Sequence, residues 1–100
     1  MKVYYPLRYA FDFRTGVYTG YVYLANIGTA TKAGPFTLTF PVGGNYPILL
    51  NPTGYAAGQP YITVNGIIKP KRSIKVLIQL SNQFRVRLST FFIGFPIAIS

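Results

Sequence analysis

The sequence predicts an all-β fold, a single domain over residues 1–100 whose antiparallel strands form a sandwich or a barrel. Ten glycines and eight prolines interrupt the 100-residue chain at short intervals, and no apolar stripe with a helical period survives between them. The intervening segments are rich in Tyr, Phe, Val, Ile and Thr, which favour strands. Half of the residues are hydrophobic, so the chain can build a core, and a chain of this length is expected to form one domain.

Seven segments are predicted to be strands, and several short strands at this spacing are typical of a sandwich or barrel. Alternation along each strand assigns its side chains to two faces. Tyr18, Val22 and Leu24 are expected to point inward from the second strand. Tyr21 and Tyr23 are expected to point outward from the same strand. The predicted strands are 3–13, 17–26, 34–41, 46–51, 60–65, 73–81 and 84–92.

The last two predicted strands are expected to form a hairpin with a three-residue loop, Ser81-Asn82-Gln83. This register places inward residues opposite inward residues, whereas a slip of one residue would reverse every side chain. Lys75, Arg85 and Arg87 then project from one exposed face. Six of the ten basic residues therefore gather in one patch, because the loop that enters this face adds Lys69, Lys71 and Arg72.

The stretch FDFRTGVY is expected to connect the first two strands. Asp12, the only acidic residue of the chain, can accept backbone N–H bonds within this turn, with Arg8 and Arg14 as alternative partners. Gly16 supplies a position with positive φ. Asp12 is therefore interpreted as a residue that builds the turn rather than as a functional acid.

The C-terminal segment FFIGFPIAIS contains no charged side chain. Leaving such a run in water is unfavourable by roughly 25 cal/mol per Å² of apolar area. We expect the segment to be ordered by packing, either on the sandwich or in the groove of a neighbouring molecule.

Composition argues against an enzyme. The chain has no His, no Cys and a single carboxylate side chain, which removes Ser–His–Asp and Cys–His arrangements, paired glycosidase carboxylates and zinc sites. A calcium site around Asp12 alone would need many backbone oxygens. No phosphate-binding or dinucleotide fingerprint occurs, since the glycines of GPFTLTFPVGG precede no helix. We expect no catalytic residue, no metal and no cofactor.

The aromatic residues are the remaining source of chemistry. Nine tyrosines and eight phenylalanines exceed the needs of one small core, to which we assign Phe11, Phe36, Leu38 and Phe40. Exposed aromatic rings can stack on sugars or on bases. Alternatively, these tyrosines cover a neighbouring module or shield the edges of sheets. Tyr46, Tyr55 and Tyr61 are expected to lie in or beside loops, and the candidate ligand-binding tyrosines are Tyr21, Tyr23, Tyr55 and Tyr61.

The charge balance predicts an anionic partner. With ten basic residues and one acidic residue, the formal net charge is +9. Such a domain suits a nucleic acid, an acidic polysaccharide or a membrane surface, or an assembly in which other chains balance the charge. No apolar run approaches the length of a membrane-spanning helix, because Gly94 and Pro96 interrupt the last one. The N-terminus does not have the pattern of a signal peptide.

The order of short motifs resembles an Ig-like or fibronectin-III-like module that recurs in large secreted bacterial proteins. An aromatic-Asp turn, an Asn-x-Gly strand end, a Gly-Pro strand start, an Asn-x-Thr-Gly loop, a Gly-x-Pro-Tyr-Ile strand and a basic Pro turn follow one another over residues 9–92. Lys71 stands where this family has Gly, and Tyr21 and Tyr23 replace outward threonines. The motifs fall on Phe11 to Tyr18, Asn26 to Gly28, Gly34-Pro35, Asn51 to Gly54, Gly58 to Ile62, and Lys69 to Lys71.

The resemblance implies an Ig-like sandwich used outside the cell or at the cell surface, without catalytic residues. The leading expectation is a non-catalytic binding or adhesion module for carbohydrate. The alternatives are a structural subunit of a fibre or shell and a protein that binds nucleic acid or another anionic polymer. The residues expected to bind the ligand are Tyr21, Tyr23, Tyr55, Tyr61, Lys75, Arg85 and Arg87.

Overall fold

Two long antiparallel strands form the centre of the fold. They are β3 (Val17–Ala25) and β10 (Ser73–Ser81), and they pair along their full nine-residue lengths. Both are rich in β-branched and aromatic residues, and neither contains a proline that would remove a ladder hydrogen bond. The structure is a computed structural model that describes residues 1–4, 9–43, 47–81 and 97–100.

Shorter strands complete this first sheet. β1 (Lys2–Tyr4) and β2 (Tyr9–Asp12) both pair antiparallel with β3, and β6 (Ile48–Leu49) pairs with the far end of β10. Asn51 extends the β6 edge with its side chain. Its amide donates to the carbonyl of Leu77 at 2.9 Å, and its oxygen accepts from the N–H of Gln79 at 2.9 Å.

A second antiparallel sheet and a short ribbon account for the other strands. The second sheet has the order β11-β5-β8-β7, and the ribbon joins β4 to β9. Their bounds are β4 (Lys32–Ala33), β5 (Phe36–Thr39), β7 (Gly54–Ala56), β8 (Gln59–Val64), β9 (Ile67–Ile68) and β11 (Ala98–Ile99).

The two sheets share one hydrophobic core. The first sheet contributes the inward residues of β3 and β10, and the second contributes those of β5 and β8. The alternation predicted from the sequence is confirmed in these strands, because inward residues are buried and their neighbours are not. Phe11 is half-buried and stacks on Tyr18 with ring centroids 4.2 Å apart. The core includes Tyr18, Val22, Leu24, Phe36, Leu38, Phe40, Ile62, Val64, Val76, Ile78 and Leu80.

The all-β prediction is therefore confirmed, but the strand boundaries differ. Among the described residues, the predicted strand 3–13 is represented by β1 and β2, and the predicted strand 46–51 is represented by the two residues of β6. The sequence interpretation did not include the short strands β4, β7, β9 and β11. Strands this short lack an alternating pattern, and their pairing depends on which neighbours the fold supplies.

The predicted role of Asp12 in a turn is confirmed. Its carboxylate accepts the N–H of Arg14 at 2.9 Å, and its carbonyl accepts the N–H of Gly16 at 2.7 Å. Gly16 has a φ of 72°, as the turn requires.

Two sequence predictions concern the C-terminal fifth of the chain. The strand 84–92 and its hairpin with β10 lie outside the described residues, and the described neighbours of β10 are β3 and β6. The end of the chain does pack as expected. β11 pairs with β5, Ser100 exchanges two backbone hydrogen bonds with Thr37 at 2.9 Å, and Ile97 and Ile99 contact the core.

No helix among the described residues is long and apolar enough to cross a membrane.

The turn between β7 and β8 offers a stability test. Ala57 and Gly58 have φ values of 51° and 78° between the paired residues Ala56 and Gln59, as in a type I′ hairpin. Asn tolerates this conformation better than Ala, so Ala57→Asn should raise the free energy of unfolding by about 1 kcal/mol. Urea denaturation measures the change, and the exposed neighbour Ala56→Asn is the control. Equal effects of the two substitutions would contradict the assignment of this turn.

The charge composition predicts a fold that resists acid. Acid unfolding mostly reflects protonation of carboxylates that are paired in the native state, and Asp12 is the one carboxylate side chain here. The free energy of unfolding should therefore change by less than about 1 kcal/mol between pH 7 and pH 3. A cooperative acid transition in circular dichroism over this range would contradict the prediction.

Candidate functional site

The outer face of the first sheet brings aromatic and basic side chains together. Tyr23 of β3 lies between Tyr4 of β1 and Lys75 of β10, because it pairs with both. Tyr21, two residues back along β3, lies opposite Leu77. The tyrosines at positions 4, 21 and 23 are 46%, 40% and 39% exposed, so each presents part of its ring to solvent. We refer to Tyr4, Tyr21, Tyr23 and Lys75 as the tyrosine face.

Cations lie against two of these rings. The ammonium group of Lys75 is 4.2 Å from the ring centroid of Tyr21, and that of Lys2 is 5.0 Å from the centroid of Tyr4. Both distances are within the range of cation–π attraction, worth about 0.5–1 kcal/mol at an exposed site. The contacts keep positive charge close to the aromatic surface, so a ligand that touches the rings also approaches a cation.

An open cleft lies at one end of the tyrosine face. Its volume is about 620 Å³, within the range of small-molecule sites. The cleft combines two aromatic rings with two basic residues. The basic residues belong to the loop between β9 and β10. It is lined by Tyr4, Tyr23, Ala25, Asn26, Ile27, Lys71, Arg72 and Ser73. We call it the basic cleft.

Asn26 fixes the loops that form the basic cleft. The residue is 1% exposed, and its amide donates to the carbonyls of Ala30 at 2.8 Å and Ile68 at 2.9 Å. Its side-chain oxygen accepts the N–H of Gly28 at 3.0 Å. Because Asn26 directly follows β3, these bonds tie the end of the central strand to its own loop and to β9.

The backbone of Asn26 also holds the basic loop. Its N–H donates to the carbonyl of Arg72 at 2.9 Å, and its carbonyl accepts the N–H of Lys71 at 2.8 Å. The N–H of Arg72 in turn donates to the carbonyl of Lys69 at 3.1 Å, which closes a four-residue turn. Pro70 occupies the second position of this turn, where its fixed φ is favourable. The basic residues of the cleft are therefore attached to a constrained backbone.

Lys71 occupies the third position of this turn in a left-handed conformation, with a φ of 65°. A turn with Pro second and a positive φ third is of type II, which favours Gly at the third position. A non-glycine residue there costs roughly 1–2 kcal/mol. The resemblance to Ig-like modules predicts Gly at this position, and the backbone has a conformation that suits Gly.

The acidic side chain lies at the opposite end of the central strand. Asp12 pairs with Val17, the first residue of β3, whereas the basic cleft contains Ala25, the last. At about 3.3 Å per residue, these ends are roughly 26 Å apart, beyond the Debye length at physiological salt. Lys2, Lys71, Arg72 and Lys75 therefore create a positive field that no acidic side chain of the chain offsets locally.

The structure brings together only part of the site predicted from the sequence. Tyr21, Tyr23 and Lys75 share one face, as expected. Tyr55 and Tyr61 belong to β7 and β8 of the second sheet, whose inner face packs on the shared core, so they do not join the tyrosine face. The remaining predicted residues, Arg85 and Arg87, lie outside the described residues, as does Tyr46.

Sequence reasoning grouped Tyr55 and Tyr61 with the other tyrosines because it had no means to assign strands to sheets. Tyr55 is 66% exposed on an edge strand, whereas Tyr61 is half-buried beside Gly54. A Cβ at Gly54 would lie 2.6 Å from the Tyr61 hydroxyl, so the ring covers this glycine. Part of the Tyr61 ring is therefore packed against the protein itself and is not exposed to a ligand.

Sequence reasoning also missed Tyr4 and Lys2. Alternation in the first strand could have oriented Tyr4, but its neighbour depends on a register that changes along β3. Tyr4 of β1 pairs with Tyr23 and Tyr9 of β2 pairs with Gly20, so the registers of β1 and β2 on β3 differ by two residues. Nothing in the sequence marks this difference of two residues. Side chains alternate between the faces of a sheet with a period of two residues, so a shift of two residues does not change the face to which a side chain is assigned.

No family model matches the chain, and neither a curated protein nor a solved structure matches it significantly. The described residues contain no group of His, Cys, Asp and Glu side chains that could hold a metal ion.

Removing the side chain of Asn26 should destabilise the protein strongly. Asn26→Ala leaves the buried carbonyl of Ile68 without its side-chain donor and removes two further hydrogen bonds, at a cost of about 2–4 kcal/mol. The exposed Asn65 provides a matched control, since Asn65→Ala should change the free energy of unfolding by less than about 0.5 kcal/mol. Urea denaturation of both variants measures the difference. A loss below 1 kcal/mol for Asn26→Ala would contradict the role assigned to this residue.

Proposed function

We propose that the chain is an Ig-like β-sandwich module that binds an acidic polysaccharide outside the cell and catalyses no reaction. The observation that carries the proposal is the tyrosine face, where Tyr21 and Tyr23 are exposed beside the ammonium group of Lys75. The two-sheet antiparallel core supports the Ig-like part of the proposal. The resemblance of residues 9–92 to modules of secreted bacterial proteins supports an extracellular location.

The tyrosine face suits a chain of sugar rings. Tyr21 and Tyr23 are two residues apart on one strand, which separates their Cα atoms by roughly 7 Å, the scale of one sugar ring. Their exposed ring surfaces can pack against the apolar faces of sugars, while the hydroxyls stay available for hydrogen bonds. Tyr4 extends this surface across the sheet from Tyr23. A ligand lying across the face would therefore meet several rings in succession.

The same face favours an acidic ligand over a neutral one. The cations of Lys2 and Lys75 lie over aromatic rings, and the basic cleft adds two more at one end. A polysaccharide with regularly spaced anionic groups would meet ring surface and positive charge together. Nucleic acid shares these two properties, but no recognised nucleic-acid motif occurs in the sequence, so duplex and single-stranded DNA serve as comparison ligands.

The binding test replaces the tyrosine face as a unit. Tyr21→Ala, Tyr23→Ala and Lys75→Gln together should weaken binding to a polyuronate by at least about tenfold, since stacking surface and a cation are lost. The control combines Tyr55→Ala with Lys32→Gln, exposed positions outside this face, and should change affinity less than twofold. Calorimetry gives the affinities, and circular dichroism checks the fold.

Three results would contradict the proposal. Equal losses of affinity in the two variants would show that binding depends on the overall positive charge and not on the tyrosine face. Tighter binding to DNA than to any polysaccharide would favour the nucleic-acid alternative. A large species in size-exclusion chromatography with no polymer binding would favour a structural subunit whose basic surface is covered by neighbours.

A further inference from the structure

We propose that the basic cleft is a subsite for one uronate unit, a sugar whose carboxylate is bound by Arg72 and Lys71 while its ring lies against Tyr23. This inference rests on the proposed function, because it assigns the acidic group of the polysaccharide to one place on the protein. It adds a prediction that the tyrosine face alone does not make. The carboxylate of the sugar unit, and not the overall charge of the polysaccharide, should determine where the polysaccharide binds on the protein.

The dimensions and lining of the cleft fit a single sugar unit. Its volume of about 620 Å³ exceeds what one sugar ring occupies, and it opens to solvent at the end of the tyrosine face. Because Tyr23 belongs both to the tyrosine face and to the lining of the cleft, a polysaccharide on this face lies next to the cleft. Tyr4 and Tyr23 are the aromatic residues of its lining, and Lys71 and Arg72 are its basic residues.

The donors in the cleft favour a carboxylate. The N–H groups of Asn26, Lys71 and Arg72 all donate to carbonyls of the protein, so these backbone groups are not available to form an anion-binding nest. Recognition is then left to the exposed side chains of the turn. The planar guanidinium of Arg72 matches the two oxygens of a carboxylate, and the ammonium of Lys71 adds a second cation.

The conformation of Lys71 supports a role beyond folding. Gly would adopt its φ of 65° without steric cost, yet the chain places a long basic side chain there, on a backbone clamped by Asn26. Residues in sparsely populated conformations often occur at ligand sites, where the surrounding structure enforces them. The left-handed conformation disfavours Lys but not Gly. Replacing Lys71 by Gly should therefore change the stability of the fold and the affinity for the ligand in opposite directions.

The first measurement compares two ligands that differ only in the acidic group. Calorimetry would be performed with a hexamer of galacturonic acid and with the same hexamer after reduction of its carboxyls to alcohols. A short oligomer avoids the multivalent enhancement that a polymer would add. We expect the wild-type protein to bind the acidic hexamer at least about tenfold more tightly than the reduced one. A sulfated oligosaccharide of equal charge tests the preference for a carboxylate and should bind more weakly.

The second measurement locates the carboxylate. Arg72→Gln should weaken binding of the acidic hexamer about five- to tenfold and leave binding of the reduced hexamer unchanged. Arg72→Lys keeps the charge but not the planar fork, and should restore only part of the loss. Arg14→Gln is the matched control, because Arg14 is exposed at the opposite end of β3 and the charge change is identical.

The third measurement uses Lys71→Gly. This variant should unfold at a higher urea concentration than the wild-type protein, since the strained residue is replaced by one suited to the turn. It should nevertheless bind the acidic hexamer several-fold more weakly. A variant that gains stability while it loses affinity cannot owe the loss to misfolding.

The outcomes distinguish the subsite from the broader proposal. If the wild-type protein binds neither the hexamers nor any acidic polysaccharide, the proposed function fails and the subsite with it. If it binds the acidic polymer through the tyrosine face, but Arg72→Gln behaves as Arg14→Gln does, only the subsite is overturned. Equal binding of acidic and reduced hexamers, or tighter binding of the sulfated one, would also overturn it.

Discussion

The geometry of the basic cleft depends on the hydrogen bonds of one buried residue. Asn26 ends the central strand, and its side chain and backbone together bond to Ile68, Lys71 and Arg72. A buried amide that satisfies both its donor and its acceptor groups is favourable, whereas its partners would be costly to leave unpaired. The residue therefore does more than close a turn, because it couples the end of β3 to the loop that supplies the cations. An aliphatic residue could fill the same space and keep the backbone bonds to Lys71 and Arg72, but it would lose the side-chain bonds that hold Gly28, Ala30 and Ile68.

The strand that Asn26 terminates serves the core and the surface at once. Tyr18, Val22 and Leu24 are buried against the second sheet, while Tyr21 and Tyr23 stand on the opposite face. Because side chains alternate, any slip of one residue between β3 and β10 would bury the outer tyrosines and expose the core. The nine-residue pairing of these strands thus specifies core packing and the tyrosine face together. Rigidity in the candidate site follows from hydrophobic burial on the other side of the same strand.

The sequence allowed these two faces to be predicted but not the whole candidate site. Alternation is a local property, so the inward and outward residues of β3 and β10 could be assigned without knowing their neighbours. Which strands share a sheet is not local, and this is why Tyr55 and Tyr61 were grouped with tyrosines of the other sheet. Tyr4 was missed because a register that differs by two residues leaves no trace in the pattern. The basic loop was recognised as charge, but the cleft it forms requires the contacts of Asn26.

Lys71 is where the requirements of folding and of the proposed binding diverge most clearly. Its turn has Pro70 in the second position and a left-handed residue in the third, so sterics favour Gly. The cost of Lys is tolerable because the backbone of Asn26 bonds to the last two residues of the turn, accepting from the N–H of Lys71 and donating to the carbonyl of Arg72. A flexible loop would relax to another conformation and move the ammonium group away from the cleft. The backbone hydrogen bonds of Asn26 therefore hold Lys71 in a left-handed conformation beside Tyr23 in the basic cleft, and the proposed uronate subsite accounts for a basic residue at a position where the turn alone favours Gly.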